Sequence, residues 1–176
     1  MKLTYRLVLF LVALSVAADG RPLAAQDAPP NSRIARQRTV LFSADPLTGT
    51  WKLNVAKSKF GSGPVYKSIL VKIESQGNSL RYVVDSVNVE GNAIHYEFIL
   101  RYDGKDYPVT GNPTLDTVAG KKIDANTVDL VFKKGGKEAL SRREVTSKDG
   151  KTRTVTTRGK DTTGRDINAT TVFDKQ

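Results

Sequence analysis

The chain of 176 residues has no cysteine. That excludes a disulfide framework, a thiolate nucleophile and a cysteine-ligated metal. A lipid anchor on a processed N-terminal cysteine goes with them. His95 is the only histidine. A multi-histidine metal centre is therefore excluded, and a catalytic triad would have that one imidazole to draw on. No glycine-rich stretch opens a helical pattern, so there is no phosphate loop. Beyond residue 45 nothing sustains a helical period. "AKSKFGSGP" (56–64) has room for one short helical turn at most. Long apolar runs are lacking too: "LVLFLVALSVAA" (7–18) falls short of the roughly 20 residues that span a bilayer.

That apolar run defines the start of the chain. Lys2 and Arg6 precede it and small residues follow. This is the layout of a secretory signal peptide, with cleavage after Ala18 or Ala25; the alternative is an uncleaved anchor. Residues 1–25 are assigned to the signal and 26–44 to a disordered linker. The segment "RPLAAQDAPPNSRIARQR" (21–38) has a proline pair, small residues and scattered charge. It cannot bury enough apolar surface to offset its ordering entropy. Val40-Leu41-Phe42 either docks on the body or frays. The expected location is outside the cytoplasm, periplasmic or secreted.

From residue 45 to 176 the chain changes character. Turn signals recur: "QGN" at 76–78, "EGN" at 90–92, "DGK" at 103–105, "KGGK" at 134–137 and "DGK" at 149–151. Between them lie runs rich in Val, Ile, Thr, Tyr and Phe. Their period is two. In "AIHYEFILRY" Ile94, Tyr96, Phe98, Leu100 and Tyr102 share one face, and His95 and Glu97 the other. Val128, Leu130 and Phe132 alternate with Thr127, Asp129 and Lys133. One dry face and one wet face describe an antiparallel strand. The fold class is all-β, an up-and-down meander. With no helices to cover a flat sheet, the meander is expected to close into a barrel of about 8–10 strands, which removes its exposed edges.

"GTWKL" (49–53) contains the single tryptophan. Gly-x-Trp on a first strand resembles the lipocalins, and the longer Gly-Thr-Trp-Lys-Leu run resembles the fatty-acid-binding proteins, both of the calycin superfamily. "DGKTRTVTTRGK" and "INATTVFDKQ" near the C-terminus resemble the last two strands of the latter. "GTWKLNVAKSKFGSGP" is similar to a group of exported bacterial lipocalin-like proteins. The resemblance covers residues 45–176. It implies a calycin barrel with a small ligand inside, and Trp51 as a structural plug across the closed end. In the fatty-acid-binding proteins an arginine and a tyrosine on the last strand grip the ligand carboxylate. The equivalent positions here are Thr171 and Phe173, so that grip is missing. A bacterial source would also make the sequon at Asn168 meaningless.

The candidate barrel liners are the dry faces: Tyr96, Phe98, Leu100, Tyr102, Leu130, Phe132, Thr171 and Phe173. On "EALSRREVTS" parity groups Arg143 with Ala139, Ser141 and Val145, and Arg142 with Leu140 and Glu144. If the Ala/Val face is inward, Arg143 enters the barrel beside Arg153. Two interior guanidiniums would hold an anionic head bidentately; alternatively one or both snorkel outward. The Thr-rich strand "TRTVTTRG" either lines a wet cavity or faces solvent. His95 and Glu97 lie opposite the apolar face, which reads as solvated surface rather than an acid–base pair.

Formal net charge is +10. Between Lys121 and Arg165 there are thirteen Lys and Arg against six Asp and Glu. Phe132 is the one aromatic there, so bases would find no stacking platform. A weak contact with an anionic envelope surface fits better than specific nucleic-acid binding. The sequence offers no nucleophile–base pair and implies no cofactor or metal, so no enzyme is expected. The expected function is binding of a small hydrophobic or amphipathic molecule. The alternative is a filled barrel that acts as an interaction or structural protein of the cell envelope. Interior volume distinguishes the two.

Overall fold

The computed structural model describes residues 45–176 apart from residue 162. The signal and linker assignments, and the run at 40–42, lie outside the described residues. Ten strands follow in order: β1 (Gly49–Lys59), β2 (Tyr66–Gln76), β3 (Ser79–Asn88), β4 (Ala93–Leu100), β5 (Tyr107–Thr110), β6 (Thr117–Lys122), β7 (Thr127–Lys134), β8 (Lys137–Thr146), β9 (Thr152–Lys160) and β10 (Asp166–Lys175). Each pairs antiparallel with the next, and β1 pairs with β10 to close the barrel. The alternation read from the sequence explains the closure. Each strand offers one apolar row, and a curved closed sheet lets all ten rows share one core. In β4 Tyr96, Phe98 and Leu100 are buried and His95 is exposed; in β7 Val128, Leu130 and Phe132 are buried. Among the described residues no helix is long and apolar enough to cross a membrane.

One end is sealed from within. Trp51 is fully buried and shares an apolar cluster with Leu47, Ile73, Leu80, Leu100, Val118 and Val128. Its Nε1 donates to the Leu47 carbonyl at 2.7 Å. A tryptophan of this kind removes about 150–250 Å² from water and still needs a partner for its N–H. Asp45 holds the turn that presents the carbonyl. Its Oδ1 accepts from Leu47 N at 3.0 Å, and its Oδ2 from Tyr102 OH at 2.9 Å and Lys122 Nζ at 2.8 Å. In β6, Gly120 leaves room for Leu100: a Cβ there would strike the Leu100 side chain and the Arg101 carbonyl.

β1 serves both sides of the closure. It pairs with β2 only from Gly49 to Lys52, and with β10 from Trp51 to Asn54 and again at Lys59. Val55–Ser58 bow outward between those contacts. Ser58 Oγ donates to the Asn54 carbonyl at 2.7 Å and accepts from Val172 N at 3.0 Å. A bulge of this sort bends a strand and raises its twist, which turns β1 around the barrel corner.

Candidate functional site

Above the plug the barrel holds a cavity of about 700 Å³. Residues of the β1–β2, β5–β6 and β9–β10 connections ring its mouth, among them Pro64, Asn112 and Arg165, together with Lys134 at the end of β7 and Glu138 at the start of β8. The volume lies within the roughly 300–1,000 Å³ usual for ligand pockets.

The register sets what the walls present. Across β8, β9 and β10, Thr146 lies beside Arg153 and Phe173; Glu144 beside Val155 and Thr171; and Arg142 beside Thr157 and Ala169. Polar groups therefore face inward at three successive levels of one wall. Ile69 and Val71 of β2, Val84 of β3 and Phe98 of β4 line another part of the cavity. Tyr82 stacks on Phe98 with ring centroids 4.6 Å apart.

The interior charges are unequally matched. Glu144 and Arg153 are each only 2% exposed, with Arg153 Nη1 3.7 Å from Glu144 Oε2. Tyr82 OH donates to the same oxygen at 3.3 Å. The Arg153 guanidinium lies 5.0 Å from the Phe173 ring centroid and 5.7 Å from that of Trp51. Arg142 has no carboxylate within 4.0 Å among the described residues. Its Nη1 donates to Tyr96 OH at 3.3 Å, and its guanidinium lies 4.6 Å from the centre of the Phe132 ring. Nε of Arg142, and Nε and Nη1 of Arg153, are buried without a hydrogen-bond partner among the described residues. Two guanidiniums thus share one carboxylate. Buried donors of this kind are rare in proteins, and each calls for an explanation.

The nearby phenols stay protonated. Burial pushes Tyr82 well above the ordinary tyrosine range, and Glu144 adds to the shift. Burial also raises Tyr66. Burial opposes the charge on Arg142, but Tyr96 and Glu144 outweigh it and its pKa is raised.

The liners expected from sequence separate by height. Tyr96, Phe98, Arg153, Thr171 and Phe173 line the cavity. Leu100, Leu130 and Phe132 are buried in the core but do not reach the cavity surface. Tyr102 lies beyond the end of β4, bonded to Asp45 at the sealed end, so it is no liner. Arg143 is a correction. It points outward and forms a bidentate pair with Asp129, both bonds at 2.7 Å. The inward face of β8 is the one with Leu140, Arg142, Glu144 and Thr146. The condition placed on Arg143, an inward Ala/Val face, is therefore not met: charged Glu144 is buried and Val145 is 39% exposed. On the Thr-rich strand Thr157 lines the cavity, whereas Thr154 and Thr156 do not.

Sequence reasoning passed over Tyr82 and Val84. The antiparallel register gives the missing signal: Val84 pairs with Val71 and Tyr82 with Ile73, both on the dry face of β2. Outside the barrel, His95 Nδ1 lies 2.7 Å from Asp85 Oδ1 and Glu97 pairs with Arg81. Among the described residues no group of three His, Cys, Asp or Glu side chains is placed to hold a metal.

No family model matches the chain, and no curated protein matches it. Several solved structures are similar to the chain; for one of them the likeness covers 74% of this chain and 74% of its own, at 11% identity and a TM-score of 0.35. It is described as the siderocalin Ex-FABP, which functions through dual ligand specificities.

Proposed function

We propose that this protein is a calycin-type carrier that binds a small hydrophobic or amphipathic molecule inside its barrel. The observation that carries this reading is the cavity of about 700 Å³, open at one end and plugged at the other. Apolar area buried there would stabilise a complex at about 25 cal/mol per Å². A few polar groups would fix the orientation. Arg142 favours an acidic group on the ligand, because its guanidinium has a phenol for company and no carboxylate. The filled-barrel reading gains nothing from an interior of this volume.

The basic start and the apolar run at 7–18 support export, to the periplasm or the medium of a bacterium. The charge of +10 supports a weak contact with an anionic envelope surface. No catalytic role is proposed.

Native mass spectrometry of the exported protein, followed by denaturation and analysis of what is released, tests the carrier reading. A discrete species in near-stoichiometric amount is expected. A ligand-free mass, with no thermal shift against a panel of lipids and hydrophobes, would overturn it.

A further inference from the structure

We propose that the seam between β1 and β2 docks an extended, acidic peptide segment of a partner protein, which adds as a short strand to the free edge of β2. Docking there does not depend on what the cavity holds. β1 and β2 have 11 residues each, yet only four pairs join them, from Gly49↔Ile73 to Lys52↔Leu70. Past Lys52 the ladder stops and β1 enters its bow. Side chains hold the bow in shape: Asn54 Oδ1 accepts from Lys57 N at 3.0 Å, and Asn54 Nδ2 donates to Asp174 Oδ2 at 2.6 Å. Through the same stretch β2 is paired on its other side alone, with Asn88, Val87 and Ser86 of β3. Tyr66–Ile69 therefore has no strand opposite on the β1 side. A strand edge of that kind can pair with a further chain, as in peptide recognition by strand addition.

The surface beside this edge is apolar and basic. Six large hydrophobic residues are exposed among those described, and four follow the seam: Val55, Leu70, Val65 just before β2, and Val89, whose N–H donates to the Val65 carbonyl at 3.1 Å. Lys52, Lys57, Lys59, Lys67 and Lys72 are exposed on the same two strands. Lys57 has Asp174 and Lys72 has Glu74. Lys52, Lys59 and Lys67 have no carboxylate within 4.0 Å among the described residues. Nearby acids are already taken: Asp85 faces His95, and Glu90 is held by Asn88 and Asn92. A second copy of the chain would set lysines against lysines. A lipid surface would meet the lysines and valines but leave the β2 backbone unpaired. A strand of alternating apolar and acidic residues answers all three features. Its apolar set packs on Tyr66 and Ile69, which are half-buried against the core. Its glutamates lay their methylenes across Val55 and Leu70 and bring carboxylates to the free lysines.

The probe is a capped eight-residue peptide of alternating valine and glutamate. In isothermal titration with the full-length exported protein it should bind at least about tenfold tighter than its valine–lysine counterpart, and salt should weaken it. Hydrogen exchange in Tyr66–Ile69 should slow when it binds. Lys67→Glu should weaken binding severalfold and leave the melting temperature unchanged, because Lys67 is exposed. Successive residues of a strand turn their N–H groups to opposite sides. N-methylation at one alternate set of peptide residues should therefore abolish binding, while the other set is tolerated. Equal behaviour of the two N-methylated peptides, or of the glutamate and lysine peptides, overturns strand addition. Protection of Tyr66–Ile69 by phosphatidylglycerol vesicles but not by the peptide gives the seam to a lipid surface and overturns it too. So does a dimer in sedimentation that the peptide fails to dissociate, or no peptide binding at all. None of these results alters the carrier reading, which is judged by the species released in native mass spectrometry.

Discussion

Replacing Arg142 with methionine should stabilise the ligand-free barrel while weakening its hold on acids. Arg142 keeps a charge on the half-buried inner face of β8, against the cavity. Its Nε is sealed without a partner, at a cost of about 1–3 kcal/mol for an unsatisfied buried donor. Against that stand a long hydrogen bond to Tyr96 at 3.3 Å, a typical bond being worth about 0.5–1.5 kcal/mol, and the ring contact with Phe132, worth about 0.5–2 kcal/mol. Methionine retains part of the ring contact through its sulfur, about 0.3–1.5 kcal/mol. It also leaves Glu144 and Arg153 as a balanced pair. The sum favours the variant by about 1 kcal/mol, a rise in Tm of a few degrees for a domain of this size. Glu144→Gln should act in the opposite sense. It strips Arg153 of its carboxylate and should cost about 3 kcal/mol, the lower end for a broken buried pair, because the 3.7 Å separation is loose. Urea unfolding followed by Trp51 fluorescence measures both. Destabilisation by Arg142→Met beyond about 1 kcal/mol would mean that the arginine holds the barrel together. A stabilised variant with undiminished affinity for acids would remove it from the binding site.

Trp51→Phe keeps a ring at the sealed end but leaves the Leu47 carbonyl without its donor. A loss of about 1–3 kcal/mol in urea unfolding is expected, with ligand affinity unchanged. The opposite pattern, lost affinity at constant stability, would give Trp51 a ligand-stacking role. Arg143→Gln should change neither the melting temperature nor ligand binding measurably, because Arg143 is on the outer surface with Asp129; a binding defect equal to that of Arg142→Met would contradict the inward face assigned to β8. Tyr82, Tyr66 and Tyr102 all have raised pKa values, with burial the first cause in each. The folded state therefore retains protons that the unfolded chain releases near pH 10. Their stabilising contribution is complete below that pH and is lost as pH rises toward the folded values. Thermal melts above pH 10 should fall steeply as tyrosinate absorbance appears, whereas titration of all the tyrosines at ordinary values without loss of stability would refute the burial argument.

Period-two alternation carried most of the fold, because it fixes which residues share a face. It does not say which face is inward when both carry charge. On β8 one face has Ala139, Ser141, Arg143 and Val145, and the other Leu140, Arg142, Glu144 and Thr146. Apolar content favours the first as interior, yet from Leu140 onward the second is inside, and Ala139 also reaches the cavity because the register with β7 shifts there. The reason lies on a neighbouring strand and across the barrel: Glu144 is opposite Val155, within reach of Arg153, and meets Tyr82 of β3. No pattern within β8 encodes those partners. Height along the barrel was hidden for a similar reason. Leu100 and Leu130 have the right parity, but depth depends on register with other strands and on the bow in β1. Trp51 was easier to read, since one large ring with one N–H demands a dry seat near a carbonyl.

The seam between β1 and β10 also has a consequence in time. It brings together Asn54 and Asp174, 120 positions apart in the chain. Contacts that distant are slow to form, because the intervening loop must be closed before they contribute anything. Until Asp166–Lys175 has been synthesised, β1 and β9 have no partner on that side, and the wall that carries Thr171 and Phe173 is missing. An incomplete chain is thus both sticky and unable to enclose a ligand. Loss of the last strand should produce a misfolded, aggregation-prone species rather than a weaker binder.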